Sequence, residues 1–156
     1  LMLAALPEHQ ATFRAITNNS FLLEEGIFKN PESFSFDELR QKAWQQMEPV
    51  FSKRLSERIE TYKTTLAAKQ ASDDVTAVAA AVMAGRVAVL LVEADRQIPG
   101  RVNASGDIEP GKLSNPEVGD IIDDLAEAVL RMKGEVVVVP KKLMPSKTGL
   151  AATFRY

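Results

Sequence analysis

Three short apolar runs dominate the second half of this chain: VAVLLV at 87–92, EVVVVP at 135–140 and GLAATFRY at 149–156. Each is bounded by glycine or proline and is rich in aliphatic or small residues, the pattern of a strand covered on both faces of its sheet. Helical segments separate them. ASDDV at 71–75 opens a helix, with Ser72 as cap and Asp73 and Asp74 on the positive end of the dipole. Gly85 closes that helix. Two Pro-Gly turns follow, Pro99-Gly100 and Pro110-Gly111. Asn115-Pro116-Glu117 then caps a helix that is apolar at Val118, Ile121, Ile122, Leu125, Val129 and Leu130 and ends at Gly134. Strands alternating with helices predict βαβ units and an α/β fold, a three-layer α/β/α sandwich over residues 71–156.

The first half has a different character. Residues 1–6 read as a buried strand, 8–18 as a short helix opened by Pro7, and 21–26 as a second extended piece before a loop at 29–33. Ser35 and Glu38 form a capping-box pattern ahead of one long helix over 36–69. Its apolar positions, Phe36, Leu39, Ala43, Met47, Val50, Phe51, Leu55, Ile59, Tyr62 and Leu66, share one face. Such a helix is about 50 Å long. Pro49 predicts a kink, or two helices meeting near 48–50. The stripe is expected to pack against residues 1–25 or a second copy of the chain, a homodimer through the long helix. Trp44 is expected to be buried near Leu66 or the sheet. The organisation expected is a remnant of an upstream domain at 1–30, a helical segment at 31–70 and the sandwich at 71–156.

Composition removes several kinds of chemistry. With no cysteine, thiolate metal sites and cysteine nucleophiles are excluded, and the single histidine, His9, excludes any site that needs two imidazoles. Net charge is −2, from 19 basic and 21 acidic residues, so no global field draws the chain to nucleic acid or membrane. No apolar run is long enough to span a bilayer, and the opening LMLAAL lacks the cationic region of a signal peptide. A cytoplasmic address and no cofactor are the expectations.

The tail GLAATFRY resembles the C-terminal signature of Pelota and the archaeo-eukaryotic class one peptide-chain release factors, through Gly149, Leu150, Ala151, Ala152, Phe154, Arg155 and Tyr156. Thr148 stands where that family has a first glycine, and Thr153 at an apolar position. AAVMAGRVAVLLVEAD at 80–95 and LRMKGEVVVVP resemble the same domain's two helix–strand units, so the likeness runs in order over about 72–156. RQIPGRV, DDLAEAVL and MPSKTGLAATFRY resemble the bacterial release-factor-like branch. The resemblance implies upstream domains, with residues 1–25 the end of a middle domain. It also implies the ribosome or tRNA, reached through the full-length protein, and a translational GTPase as partners. The peptidyl-tRNA-hydrolysing Gly-Gly-Gln of those factors does not occur here.

The same fold is similar to ribosomal proteins that bind RNA kink-turns. Where they carry asparagine, glutamate and lysine, this chain has Asp73, Asp74 and Ala77, which repel phosphate or ignore it and so argue against kink-turn binding. Two candidate sites remain. Glu93 and Asp95 follow a strand, and Asp120, Asp123 and Asp124 open a helix; converging, they would hold Mg²⁺ for hydrolysis of RNA or a phosphoester. Arg96, Arg101, Lys141, Lys142, Lys147 and Arg155 all follow strand ends and form a candidate binding patch. The function expected is a non-catalytic protein- or ribosome-interaction domain of a translation-associated protein, with the metal-dependent hydrolase as alternative.

Overall fold

The computed structural model describes residues 1–111 and 118–156. The chain forms two compact units, Leu1–Arg54 and Leu55–Tyr156.

In the first unit, strand β1 (Leu3–Ala4) and strand β2 (Gly26–Ile27) pair in parallel, with helix α1 (Pro7–Ile16) between them. Of residues 21–26, only Gly26 is in a strand. Gln10 of α1 is buried and ties the pair down: its Nε2 donates to Ile27 O at 2.9 Å. Helix α2 (Phe36–Ala67) begins here on the expected capping box. Ser35 N–H donates to Glu38 Oε2 at 2.8 Å, and Glu38 N–H donates back to Ser35 Oγ at 3.3 Å. The Ser35 N–H, and the Ser35 hydroxyl donating to the same Oε2 at 2.9 Å, hold the Glu38 carboxyl below the usual range.

α2 is one helix with Pro49 inside it, not two meeting at 48–50. A proline removes one backbone donor, and 32 residues of helix carry enough other bonds to continue through it. The apolar stripe behaves differently along its length. Leu55, Ile59 and Tyr62 are buried, whereas Phe36 is 83% exposed and Phe51 40% exposed. Trp44 is 54% exposed, contrary to the expectation of burial, and its ring is tilted at 47° to that of Phe51 with centroids 6.2 Å apart. Periodicity marks a face as apolar; it does not say which turns find a partner.

The second unit is the sandwich. Strand β3 (Ala71–Ser72), helix α3 (Val75–Met83), strand β4 (Val87–Glu93), strands β5 (Gly100–Val102) and β6 (Ile108–Pro110), helix α4 (Ile121–Arg131), strand β7 (Glu135–Val139) and strand β8 (Leu150–Phe154) follow in order. β5 and β6 form a separate hairpin. The main sheet has the order β3-β8-β4-β7. β4 and β7 are parallel, joined by the crossover through α4, and β8 lies antiparallel between β4 and β3. The closing strand is therefore internal, with Leu91 opposite Ala151 and Leu90 opposite Ala152.

Cores form on both faces. On one, Val78, Ala79 and Val82 of α3 and Ile122, Leu125 and Val129 of α4 pack on Leu90, Val92, Leu150 and Ala152. On the other, Leu55, Ile59 and Tyr62 pack with Leu91, Val139 and Ala151. The second half of α2 is thus a layer of the sandwich, not merely a helix that precedes it. Adjacent small residues explain the close approach: Ala151 and Ala152 are both fully buried, one toward each face. Truncating Leu125, fully buried, would cost about 2–5 kcal/mol. Tyr62 is 2% exposed with no hydrogen-bond partner for its hydroxyl among the described residues, and burial, assisted by the Asp73 charge, pushes its pKa up to about 12.

The caps differ from expectation. Asp74, not Ser72, caps α3, accepting from Ala77 N–H at 2.8 Å, because Ser72 is the last residue of β3 and accepts from Asp74 N–H. Gly85 does close α3, at φ +69. The expected cap at Asn115-Pro116-Glu117 lies outside the described residues, and α4 starts later, at Ile121, capped by Asp120. Val118 therefore precedes the helix, and Leu130 is exposed on it.

Candidate functional site

The parallel pair β4–β7 ends where α4 begins, the position at which open α/β sheets hold ligands. A pocket of about 410 Å³ opens there, lined by Glu93, Asp95, Arg96, Asp120 and Asp123 with Val92, Ile122 and Val138. The sequence anticipated these carboxylates, but their geometry is not that of a metal centre. Among the described residues no three His, Asp or Glu side chains come close enough to share an ion. Each acid has another task or none. Glu93 is 7% exposed and pairs with Arg96, Oε2 to NH1 at 3.4 Å. Asp120 Oδ1 accepts from Ile122 N–H and Ile98 N–H, both at 3.0 Å, so it caps α4 and fixes the loop after β4. Asp95 is exposed on a left-handed residue, φ 60, and Asp123 and Asp124 are exposed on the first turn of α4, where the dipole favours them.

The basic residues divide between the two ends of the sheet. Arg96 follows β4, Lys141 and Lys142 follow β7, and Lys147 precedes the antiparallel β8, so all four stand at one end. The three lysines are exposed, with no ion pair among the described residues. Arg101 is exposed on the β5–β6 hairpin. Arg155 does not join them. β8 runs opposite to β4, and Phe154 pairs with Val87, so Arg155 lies at the far end. There its NH2 donates to Met132 O at 2.8 Å, and its backbone N–H donates to Arg86 O at 2.8 Å. Met132 is the C-cap of α4, so the guanidinium meets the negative end of that helix. Tyr156 is 76% exposed.

Three relationships escaped the sequence. Arg96 crosses Gly149, whose φ of +91 and missing side chain make room for it. The Thr148 hydroxyl lies 2.7 Å from Asp73 O and 2.7 Å from Ser146 Oγ, pinning the entry to β8. Lys133, not Gly134, takes the left-handed position at the end of α4, with Gly134 held close against Val129. A glycine before an apolar strand was the available signal for the first; nothing in the sequence marks the other two.

Comparison with known proteins follows the same lines. Residues 1–86 match the family model of bacterial archaeo-eukaryotic release factor family 3. Among solved structures, the chain is similar to the C-terminal domain of the peptide chain release factor from Methanosarcina mazei. The TM-score is 0.62 at 19% identity, over 83% of this chain and 97% of that one. It is similar to Archaeoglobus fulgidus Pelota, with TM-score 0.53 at 17% identity, over 100% of this chain and 48% of that one. It is similar too to archaeal Pelota in a model of ribosome-bound Pelota and ABCE1, with TM-score 0.55 at 16% identity, over 96% of this chain and 40% of that one. At these identities the likeness is one of fold, and the chain spans less than half the length of either Pelota chain. No curated protein matches the sequence.

Proposed function

Because the chain belongs to bacterial archaeo-eukaryotic release factor family 3, we propose that it is a non-catalytic interaction module of a translation-associated protein, working in the cytoplasm and docking through the basic end of its sheet. The observation that carries this reading is the gathering of Arg96, Lys141, Lys142 and Lys147 at one sheet end, with Arg101 on the hairpin. Exposed lysines on flexible stems suit phosphate, and phosphate contacts dominate affinity for RNA. Ribosomal RNA is accordingly the proposed contact, with a translational GTPase as the second partner the family resemblance implies. Residues 1–30 are proposed as the end of a middle domain, 31–70 as the connecting helical segment and 71–156 as the interaction domain. Among the described residues no helix is long and apolar enough to cross a membrane.

The hydrolase reading has no support in the acidic set: Glu93 and Asp120 are committed to Arg96 and to the α4 cap. The test is ribosome co-sedimentation across a salt series. Replacing Lys141 and Lys142 together with alanine should weaken binding and lower its salt slope by roughly 0.7 for every RNA phosphate that the lysines had neutralised. Arg155→Ala, at the far end, should leave binding unchanged. Equal binding by the double variant would reject the patch.

A further inference from the structure

Helices α2, α3 and α4 all finish at the far end of the sheet, and they finish in the same way. Gln70 N–H reaches back to Thr65 O at 2.8 Å, Arg86 N–H to Ala81 O at 2.9 Å and Gly134 N–H to Val129 O at 2.8 Å. Each such turn needs a left-handed residue just before the donor, a place that suits glycine. Gly85 fills it after α3, at φ +69, but lysines fill the other two, Lys69 and Lys133, both at φ 60. The end of β8 draws the three turns together. Phe154 N–H donates to Gln70 O at 2.9 Å, Arg155 N–H to Arg86 O at 2.8 Å, and the Arg155 guanidinium to Met132 O at 2.8 Å. Four cations thus share one end: Lys69, Arg86, Lys133 and Arg155. None of them has an ion-pair partner among the described residues. The acids that flank them are taken, Glu127 by Arg131 at 2.6 Å and Glu135 by Arg58 at 2.7 Å. Apolar surface lies among the charges, with Met132 37% exposed and Tyr156 76% exposed.

We propose that this end docks a partner protein through a segment in which acidic residues alternate with apolar ones. Three features choose protein over nucleic acid. The two guanidinium groups are held in place: that of Arg86 lies 5.7 Å over the Phe154 ring, and that of Arg155 is anchored on Met132 O. A fixed planar fork is ready for a carboxylate. Exposed methionine and tyrosine beside arginine are the composition of a protein interface, where aromatic anchors carry most of the binding, and a phosphate backbone has no use for the methionine. The negative ends of three helices also lie beneath these cations and weaken their field at a distance. A polyphosphate gains most from a continuous positive potential, whereas a single carboxylate meets one cation at contact distance. The inference rests on the reading of the chain as an interaction module and gives its protein partner a surface; it does not need the RNA contact at the other end.

The test is an amide NMR titration of the isotope-labelled 156-residue chain with two probes. One is a short synthetic peptide alternating glutamate with leucine, the other a single-stranded uridine oligonucleotide of the same net charge. The peptide should shift the amides of Lys69, Arg86, Lys133 and Arg155 and leave those of Lys141 and Lys142 in place; the oligonucleotide should leave the first four unmoved. Replacing Lys69 and Lys133 together with glycine removes two charges and relieves two left-handed residues. That variant should bind the peptide about tenfold more weakly while melting no lower than the parent, which separates lost docking from lost folding. Tyr156→Ser should also weaken the peptide several-fold. In ribosome co-sedimentation the double glycine variant should match the parent, so the contacts at the two ends are read separately. Peptide shifts that are absent, or equal at both ends, overturn the proposal. So does peptide binding that survives the double glycine change, or an oligonucleotide that occupies the far end.

Discussion

The side chain of Arg96 lies directly over the α-carbon of Gly149: a Cβ built there would stand 2.5 Å from Arg96 Cδ and 2.6 Å from its Nε. Gly149 also has φ +91, and its carbonyl accepts from Glu93 N–H at 2.9 Å. The glycine thus joins the loop after β4 to the entry of β8. Gly149→Ala must strain the backbone and displace Arg96, so a loss of about 1–3 kcal/mol is expected in urea unfolding. Adding Arg96→Ala should recover the steric part and leave the backbone part. Full recovery in the double variant would show that φ is not the constraint.

Much of the sandwich was legible because its strands are bounded apolar runs separated by helical segments. What the sequence could not reveal was which partners these elements meet. Arg155 follows a strand end just as Lys141 does, yet β8 runs antiparallel, which sends the arginine to the opposite end, onto Met132 O. Strand direction is a property of the crossover, not of the strand's residues. The α2 stripe failed in the same way: Leu55, Ile59 and Tyr62 face the sheet, while Trp44 and Phe51 on the same helix stay partly exposed, their rings tilted against each other. The acidic set was correctly located at the strand end. Its chemistry depended on hydrogen bonds to Ile98 and Arg96 that no spacing encodes.

Tyr62 ties stability to alkaline pH. Its phenol is neutral in the fold up to about 12, whereas the unfolded chain ionises it from the ordinary value near 10. A group whose pKa is raised by folding contributes stability that is complete below the unfolded value and is lost as pH climbs through the folded one. Stability should therefore fall between about pH 10 and 12, and Tyr62→Phe should remove that portion of the fall. Near neutral pH the phenylalanine variant should lie within about 1 kcal/mol of the parent, because the hydroxyl it deletes has no partner among the described residues. Unfolding free energies at about pH 8 and pH 11 check both statements. A deficit beyond roughly 2 kcal/mol at neutral pH would mean that the hydroxyl has a partner after all.

Asp120 separates a structural carboxylate from a metal ligand. Its Oδ1 accepts from Ile98 and Ile122 N–H, so Asp120→Ala leaves a loop donor and a helix donor without their acceptor. The expected cost is at the upper end of the range for removing a cap, about 2 kcal/mol. Asp120→Asn keeps an oxygen in place and should cost clearly less, since the bonds need an acceptor more than a charge. A metal site makes the opposite demands. There the amide would fail, and Mg²⁺ or Mn²⁺ would raise the melting temperature of the parent, because an ion bound to the folded state must stabilise it. Melting curves of the parent and both variants, with and without the ions, are therefore decisive. We expect no shift with either ion and the order parent, asparagine, alanine. A rise with Mn²⁺ that disappears in the asparagine variant would restore the metal site.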